Sequence, residues 1–425
     1  MVRHPISTLS HPVRLFAMLA ALASPLAGSG CDDSTPSKID VIVPSTGLVV
    51  LSSDYISSSV SLVDPRARTL VHDRCVDSNT VAPVLSLALS GDVMLASQPQ
   101  VGGDVVLIDN GNTALTWVDP QTCAIRSQLS VGAFKALPHD VISVSASKAY
   151  VVRFGTNAAP TDDPLSRGED LLIINPRADG GPSITGRIDL APYAAPVAGA
   201  VIQARPDRGL LVGTRAYVTL ASQSADYAST GEGRIVVIDT VTDTVLGVIS
   251  LPSLAGCARL DYFPAGNTLY AACGGSSSAA DQSATSGVAL IDLNLDPPVV
   301  SKLVPASALG GKPLNFSWVA PVTGDLLFAA AFGAIDFTSN AQLAPDVVSA
   351  VVPSTATASK LVEGGAYDLG RAALLASPGT LFLPDANKTK PVLHLFDVSA
   401  AGAVPSGDLD ANPSVHLPPR EIAWY

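Results

Sequence analysis

A short pattern that recurs along the body of the chain constrains its fold more than any other feature. In each copy, an apolar strand ends on Asp or Asn and a turn follows. Six copies lie at 60–65, 115–120, 171–176, 235–239, 288–292 and 393–397, and a weaker copy lies at 346–353. The copies recur about every 55 residues, a length that suits one β-propeller blade with long loops. The chain is therefore predicted to repeat one four-stranded β unit about seven times.

A second apolar strand precedes each copy and follows a tight turn, usually with Gly, Ser, Asn or Asp. These strands lie at 47–51, 91–95, 147–152, 214–219, 266–271, 324–329 and 379–383. Their near-continuous apolar character is typical of sheets packed on both faces, as stacked blades are. The pattern predicts an all-β, seven-bladed β-propeller. Eight blades remain possible, because residues 84–118 contain one strand more than a simple blade needs.

One copy of the repeat resembles a known family. Residues 216–219 (Ala-Tyr-Val-Thr) followed by 236–245 (Val-Val-Ile-Asp-Thr-Val-Thr-Asp-Thr-Val) resemble the YVTN-type β-propeller repeat, and 149–152 is a near copy. The resemblance covers roughly residues 45–425, and it is good in the first five blades and poor around 330–370. It implies the fold and says almost nothing about function.

The C-terminal segment predicts how the ring closes. Residues 418–425 are similar to the start of an innermost strand at 138–144. We expect them to pair with residues 48–52, so that one blade contains strands from both ends of the chain and no sheet edge is exposed. The alternative is that residues 39–43 supply that strand and the C-terminus packs elsewhere.

The N-terminal segment indicates export. Residues 1–14 carry two arginines, an apolar stretch too short to span a bilayer follows, and small residues precede Cys31. This segment resembles a bacterial lipoprotein signal, which implies that Cys31 is lipidated, although Gly28 occupies the position where the family usually has Leu. Ordinary secretion is the alternative. The predicted organisation is a signal peptide at 1–30, a lipid-attached polar tether at 31–44 and a propeller at 45–425, on the periplasmic or outer-surface face of a membrane.

The remaining four cysteines form an even set, which in an oxidising compartment predicts two disulfides. Cys257 and Cys273 flank a hairpin and should meet at its open end. Cys75 and Cys123 pair by elimination, although the strand assignment places them near opposite ends of neighbouring outer strands.

Charge limits the range of partners. The chain has a net charge of −12 and no cluster of Lys or Arg, so nucleic acid is not expected to bind. Contact with a membrane is expected through the lipid anchor alone. No motif for a metal, a cofactor or a catalytic nucleophile is present, so no cofactor, metal or catalytic residue is assigned.

A candidate ligand site is predicted at the mouth of the central channel. His139-Asp140 opens an innermost strand, and Arg259, Arg371 and Arg420-Glu421 occupy corresponding positions in other blades. Polar groups that converge there could bind a small polar ligand. The alternative is that they cap strand ends and contact channel water.

Two hypotheses about function follow. The first is a non-catalytic binding or scaffolding lipoprotein of the cell envelope, whose long connections at 155–168, 222–233 and 274–287 form one recognition face for a protein or glycan. The second is a lactonase-like hydrolase that uses polar groups at the channel mouth, with or without a metal.

Overall fold

Seven four-stranded antiparallel sheets make up the chain, and they form a seven-bladed β-propeller. The computed structural model describes residues 47–132, 136–276, 281–336, 338–339, 341–377 and 379–425. The predicted signal peptide, Cys31 and the tether at 31–44 lie outside these residues. Within the described ranges, no helix is both long and apolar enough to cross a membrane.

Each blade is built from an inner strand, two middle strands and an outer strand. In that order, blades 1 to 4 contain Pro419–Trp424, Leu48–Ser53, Ser58–Asp64 and Thr69–Asp77; Val93–Leu95, Val105–Asp109, Ala114–Val118 and Ile125–Ser130; Pro138–Ser145, Lys148–Thr156, Gly168–Asn175 and Ser183–Asp189; and Pro206–Val212, Arg215–Leu220, Glu232–Asp239 and Thr244–Ala255. Blades 5 to 7 contain Cys257–Phe263, Thr268–Cys273, Gly287–Asp292 and Val299–Pro305; Leu314–Thr323, Leu326–Ala331, Asp346–Val352 and Thr357–Gly364; and Ala373–Ala376, Gly379–Asp385, Val392–Ser399 and Gly402–Leu409.

Shorter elements lie in the connections. Two small antiparallel pairs join Ile202–Gln203 to Gln223–Ser224 and Ala334–Asp336 to Ala341–Ala344. Five 3₁₀ turns lie at Pro164–Ser166, Ala191–Tyr193, Pro264–Gly266, Gln282–Thr285 and Ala306–Leu309.

Seven apolar clusters hold the ring together, one between each pair of neighbouring blades. Successive residues of a strand enter different clusters, because side chains alternate between the two faces of a sheet. Tyr150 and Val152 pack toward blade 4, whereas Ala149 and Val151 pack toward blade 2. This explains why the middle strands are apolar along almost their whole length.

The ring closes as the sequence predicts. The C-terminal strand Pro419–Trp424 pairs antiparallel with Leu48–Ser53, with Leu48 opposite Trp424. Gly47 and Tyr425 also exchange backbone hydrogen bonds, at 3.3 and 3.1 Å. Both ends of the described chain therefore belong to blade 1, which is completed as a four-stranded sheet.

The propeller has two different faces, which we name by their connections. The loop face carries the start of each inner strand, the connections between the two middle strands and the connections between blades. The hairpin face carries the turns that join the inner strand to the second strand and the third to the outer strand. The long connections at 155–168, 222–233 and 274–287 all belong to the loop face.

Blade 2 departs from the prediction. The segment at 91–95 was expected to be a middle strand, but it contains the inner strand, Val93–Leu95, and the middle strand is Val105–Asp109. The extra strand of 84–118 is thereby explained without an eighth blade. The inner strand is short because the chain leaves the sheet after Leu95 and enters the channel.

Both predicted disulfides are present. Cys257 and Cys273 are direct partners across an antiparallel pair. Cys75 and Cys123 join the rims of blades 1 and 2, with their Cα atoms 5.1 Å apart. As expected, Cys75 lies near the end of one outer strand and Cys123 just before the start of the next, yet this placement does not prevent the bond. Between Leu62 opposite His72 and Val60 opposite Val76, the outer strand contains two extra residues. Such a bulge re-aims side chains.

Candidate functional site

One level of the channel is ringed by charged side chains from five blades. In four inner strands the charged residue is the third of the strand, and in blade 7 it lies two residues before the strand. The five residues are Asp140, Arg208, Arg259, Arg371 and Glu421, and each is at most 9% exposed. We call them the channel ring. Equivalent positions in a repeat lie at similar depth, which explains why these residues meet.

The chain itself fills the space inside the ring. After the inner strand of blade 2 ends at Leu95, residues 96–104 pass through the channel before the next strand starts at Val105. We call residues 96–101 the plug. A cavity of about 10 Å³ beside the plug, lined in part by Gln98 and Trp424, has room for one water molecule at most.

The three arginines of the ring hold the start of the plug. Arg208 donates to the carbonyl of residue 95 at 2.8 Å, and Arg371 donates to the carbonyls of residues 96 and 97 at 3.1 and 3.0 Å. Arg259 donates to the hydroxyl of Ser97 at 2.6 Å. Guanidinium donors that could have bound an anionic ligand are therefore occupied by backbone and hydroxyl oxygens of the chain.

The two carboxylates of the ring accept from the same segment. The Glu421 carboxylate accepts from the backbone N–H of Leu95 at 2.8 Å and pairs with Arg371 at 3.1 Å. Asp140 accepts from the N–H groups of Ser97 and Gly209, at 2.8 and 2.9 Å. Buried charges are tolerated when they are paired or hydrogen-bonded: Glu421 is both, and Asp140 accepts hydrogen bonds from backbone N–H groups.

The rest of the plug binds the inner strands of blades 3 and 4. The side-chain amide of Gln98 donates to the carbonyl of Leu211 and accepts from its N–H, at 3.1 and 2.6 Å. The N–H of Val101 donates to Ser143 at 3.0 Å. The plug therefore occupies edge positions that water or a ligand would otherwise contact.

The charged groups of the ring shift one another's pKa values. Burial alone would raise the pKa of Glu421, but Arg208 and Arg371 hold it below its usual value. Burial, together with repulsion from Arg371 and Arg208, lowers the pKa of Arg259 to about 9. Among the described residues Arg259 forms no ion pair within 4 Å, so the ring depends on Glu421 and Asp140 for its neutralisation.

His139 belongs to a second cluster. Its Nδ1 lies 2.9 Å from the Asp207 carboxylate, and its ring stacks on Phe154 with centroids 4.3 Å apart. Burial would raise the pKa of Asp207, but His139 and Arg208 more than offset it, and the pKa is lowered. Because neighbouring residues of a strand point to opposite sides, His139 and Asp140 do not share a site.

Arg420 also lies apart from the channel ring. It donates to the carbonyls of Ser53 and Tyr367, at 3.1 and 3.4 Å, and its guanidinium lies 5.0 Å from the centre of the Tyr55 ring. The six residues predicted for the channel mouth therefore form two groups. Four of them hold the plug: Asp140, Arg259, Arg371 and Glu421. The other two, His139 and Arg420, contact residues of the loop face instead.

Exposed aromatic side chains lie in the connections of the loop face. Tyr55, Tyr227 and Tyr367 are 69%, 50% and 45% exposed, and all three have positive φ, at 68°, 60° and 63°. This conformation is costly for a bulky residue and is found preferentially at functional sites. Phe332 contacts Tyr367 with ring centroids 5.4 Å apart, and Arg205 lies 3.9 Å from the centre of the Tyr227 ring.

Neither a metal centre nor an open anion site is evident in the rest of the described chain. Among the described residues, no three His, Cys, Asp or Glu side chains are gathered as a metal ion would require. A cavity of about 200 Å³ on the hairpin side is lined by Trp117, Arg126 and Arg177. Both of these arginines are already ion-paired with buried Asp104.

Sequence reasoning missed several of the residues that matter here. Arg208 and Asp207 open the inner strand of blade 4 at the same positions as Asp140 and His139 in blade 3, so aligning the inner strands would have found them. The plug and the positive φ of the tyrosines have no comparable sequence signal, since each depends on the path of a single irregular connection.

The fold and the filled channel define a seven-bladed β-propeller with a self-occupied centre. No model of a known protein family matches the chain. A comparison with curated proteins also gives no match.

Solved structures show the same fold at low sequence identity. A candidate 6-phosphogluconolactonase of Bacteroides uniformis is 14% identical, covers 89% of this chain and 100% of its own, and has a TM-score of 0.54. The propeller domain of Cps50 (Swd1) from Myceliophteria thermophila is 10% identical over 84% of this chain and 96% of its own, with a TM-score of 0.52. Dihydro-heme d1 dehydrogenase NirN is 11% identical over 89% and 75%, with a TM-score of 0.51. At these identities the likeness concerns the fold alone.

Proposed function

We propose that the protein is a non-catalytic binding or scaffolding lipoprotein of the cell envelope that recognises its partner with the loop face. The observation that carries this proposal is the distribution of exposed apolar side chains. Among the described residues, the exposed large apolar side chains in loop-face connections are Tyr55, Ile56, Val81, Val84, Leu87, Val201, Tyr227, Leu343, Tyr367 and Val415. The turns of the hairpin face carry Val241 and Leu295, and the outer strands carry Val71, Leu246, Val248, Val299 and Val404. Exposed apolar residues that gather on one side of a protein are typical of an interaction surface.

The filled channel supports recognition at the surface. The plug and the channel ring occupy one level of the channel, and the cavity beside the plug holds about 10 Å³, which favours the connections as the place where a partner binds. Rigid blades hold these connections in place, as is usual for loops that carry recognition.

The two disulfides indicate an oxidising environment outside the cytoplasm. We further propose that Cys31 carries a lipid and that the tether holds the propeller at a membrane. The described chain enters blade 1 at Gly47 on the hairpin face.

The anchor is tested by replacing Cys31 with Ser in the full chain. The native protein should fractionate with membranes and release only in detergent, while C31S should appear in the soluble extracytoplasmic fraction. A native protein that is already soluble after export would contradict the lipid anchor and leave the loop-face proposal untouched.

The recognition face is tested by placing a photo-crosslinking amino acid at Tyr227 in one variant and at Val241 in another, in cells that produce the protein. The first position lies on the loop face and the second is its matched control on the hairpin face, with 50% and 74% exposure. We expect a discrete adduct from Tyr227 alone. Equal labelling from both positions, or labelling from Val241 alone, would overturn the assignment.

A lactonase-like hydrolase is the second candidate, and the His139–Asp207 pair favours it. A carboxylate on Nδ1 orients an imidazole and leaves Nε2 for proton transfer, the arrangement of a general base. Assays with a panel of lactones should then show turnover that falls by at least about 100-fold in both H139A and D207N. Absence of turnover in the native protein would eliminate this candidate.

A further inference from the structure

The three exposed tyrosines of the loop face have similar neighbours in the chain. Each tyrosine is next to an aspartate in the chain: Asp54 precedes Tyr55, Asp226 precedes Tyr227, and Asp368 follows Tyr367. Each exposed ring is therefore accompanied by a carboxylate. The repetition in blades 1 and 4 and in the connection between blades 6 and 7 is not produced by the repeat itself, because these connections have unrelated lengths and sequences.

The rings are held in place by their surroundings. The Arg420 guanidinium lies against Tyr55 and donates to the carbonyl of Tyr367, so that one arginine joins two of the three tyrosines. Arg205 is 4% exposed, stacks on Tyr227 and donates to the carbonyls of Ser224 and Ala225. Because hydrogen bonds to backbone carbonyls fix both guanidiniums, the tyrosine rings that pack on them are restricted in their motion.

The loop of Tyr55 is also packed tightly from below. Gly91 lies against its backbone, and a Cβ at Gly91 would come within 2.3 Å of the carbonyl carbon of Tyr55. The Ser53 hydroxyl donates to the carbonyl of Gly91 at 2.7 Å. Preorganised aromatic side chains lose little entropy on binding, and Tyr is among the residues that contribute most at protein interfaces.

Two of the three aspartates, Asp54 and Asp226, are exposed and have lowered pKa values, whereas burial and the nearby Asp385 carboxylate raise the pKa of half-buried Asp368. The Asp54 carboxylate accepts from the backbone N–H groups of Ser57 and Ile56, which lowers its pKa. The Ser224 hydroxyl and the N–H of Ala228 do the same for Asp226. Neither aspartate forms an ion pair with another described residue.

Further exposed aspartates surround these sites in other connections of the loop face. They are Asp92, Asp162, Asp163, Asp281 and Asp410. Exposed cations in the same connections are fewer, namely Arg167, Lys388 and Lys390, and Lys390 is ion-paired with Asp408. The exposed charges in the connections of the loop face are therefore mainly acidic, and they lie among exposed aromatic and aliphatic side chains.

We infer that the partner is a protein whose contact surface combines apolar and basic side chains. This inference rests on the proposed function and narrows it to one class of partner. The exposed aliphatic groups of Ile56, Val201 and Leu343, at 85%, 88% and 67%, offer no hydrogen bonds to sugar hydroxyls but bury well against apolar protein surface. In a dimer formed through the loop face, two acidic surfaces would repel each other, and an anionic membrane would be repelled in the same way.

A phage-displayed library of random peptides, selected against the purified full-length protein, tests the inference, and an array of soluble glycans is probed in parallel. We expect selected peptides that combine aliphatic or aromatic residues with Lys or Arg, and an association rate that falls as salt rises. The double variant Y55A/Y367A and the variant Y227A should each weaken binding by about 30-fold, as expected for interface hot spots. The control V241A/L295A on the hairpin face should bind as the native protein does.

The role of charge is separated from that of the rings by D54N and D226N. Asn can accept the same backbone hydrogen bonds and keep the turns, so folding should be unchanged while the salt dependence of peptide binding becomes shallower. Peptides without basic residues, or a salt dependence unchanged in D54N/D226N, would overturn the inference. Tyrosine-dependent binding to glycans without any peptide would overturn it while leaving the proposed function in place. Binding that is indifferent to the tyrosines, or no binding to either library, would overturn both.

Discussion

Both faces of the propeller carry aspartates, but the two sets differ in what they contact. On the hairpin face, Asp243 pairs with Lys148, Asp296 with Arg215 and Asp397 with Arg68, and each pair joins neighbouring blades. On the loop face, Asp54 and Asp226 accept hydrogen bonds from their own turns. One face uses its charge to join blades, and the other leaves its charge open to a partner.

The difference indicates a division of labour between stability and recognition. The ion pairs of the hairpin face join neighbouring blades. The loop face instead contains bulky residues with positive φ, which cost stability and persist where function requires them. Variants should therefore separate into those that change unfolding and those that change binding.

The largest effect on stability is expected in the channel ring. E421Q removes the negative charge that neutralises Arg208 and Arg371 and leaves both guanidiniums buried, at a cost of about 3–5 kcal/mol. Urea denaturation measures the change. Y55A on the loop face is the matched control and should change stability by less than about 1 kcal/mol. A small effect of E421Q would show that the plug is not held by the ring.

The disulfides should rank by the length of the loop that each one closes. Cys75 and Cys123 are separated by 48 residues, and Cys257 and Cys273 by 16. Chain entropy predicts losses of about 4 and about 3 kcal/mol when each pair is replaced by Ser. Equilibrium unfolding of the two double variants gives the order. A reversed order would mean that strain or residual structure in the unfolded state outweighs loop closure.

A smaller effect should depend on pH. Hydrogen bonds from His394 to Asp385 and Asp408, at 3.1 and 2.8 Å, raise the pKa of this histidine above 6.5. Its contribution to stability is therefore complete below pH 6.5 and is lost as the pH rises through the higher pKa of the folded state. Below pH 6.5 the native protein should have a higher free energy of unfolding than H394Q. At high pH the two free energies of unfolding should converge. A constant difference would contradict this.

The smallest effect belongs to the ion pairs of the hairpin face. D296N breaks the pair with Arg215, in which the carboxylate is 73% exposed, so the loss of stability should be small and should vanish in high salt. Thermal unfolding at two salt concentrations measures it. A large loss that persists in salt would mean that this face joins the blades more strongly than the comparison implies.

The sequence predicted the fold well because each blade repeats the same two strand patterns. The closure by residues 418–425 was predicted because this segment is similar to the innermost strand at 138–144. The pattern at 91–95 was misplaced, since an apolar strand after Gly-Asp looks alike whether it lies second or innermost in a blade. Periodicity gives the type of an element more reliably than its place in the sheet.

The candidate site was predicted less well. The four residues Asp140, Arg259, Arg371 and Glu421 were correctly expected to converge, since they occupy equivalent positions of the repeat. That they surround a segment of the same chain was beyond reach, because residues 96–104 carry no pattern that distinguishes a plug from a surface loop. The tyrosines of the loop face were missed for a similar reason, as backbone conformation in irregular connections depends on tertiary packing.

The closure of blade 1 also determines how the molecule responds to a pull. The strand Leu48–Ser53 has a paired neighbour on each side, Ser58–Asp64 and Pro419–Trp424, and the chain enters it from the hairpin face. A force applied at Gly47 acts along the strand, perpendicular to its hydrogen bonds. Both ladders are then loaded in shear, and their bonds must break together rather than one after another. A partner held on the loop face would thus pull against the mechanically strongest direction of the sheet.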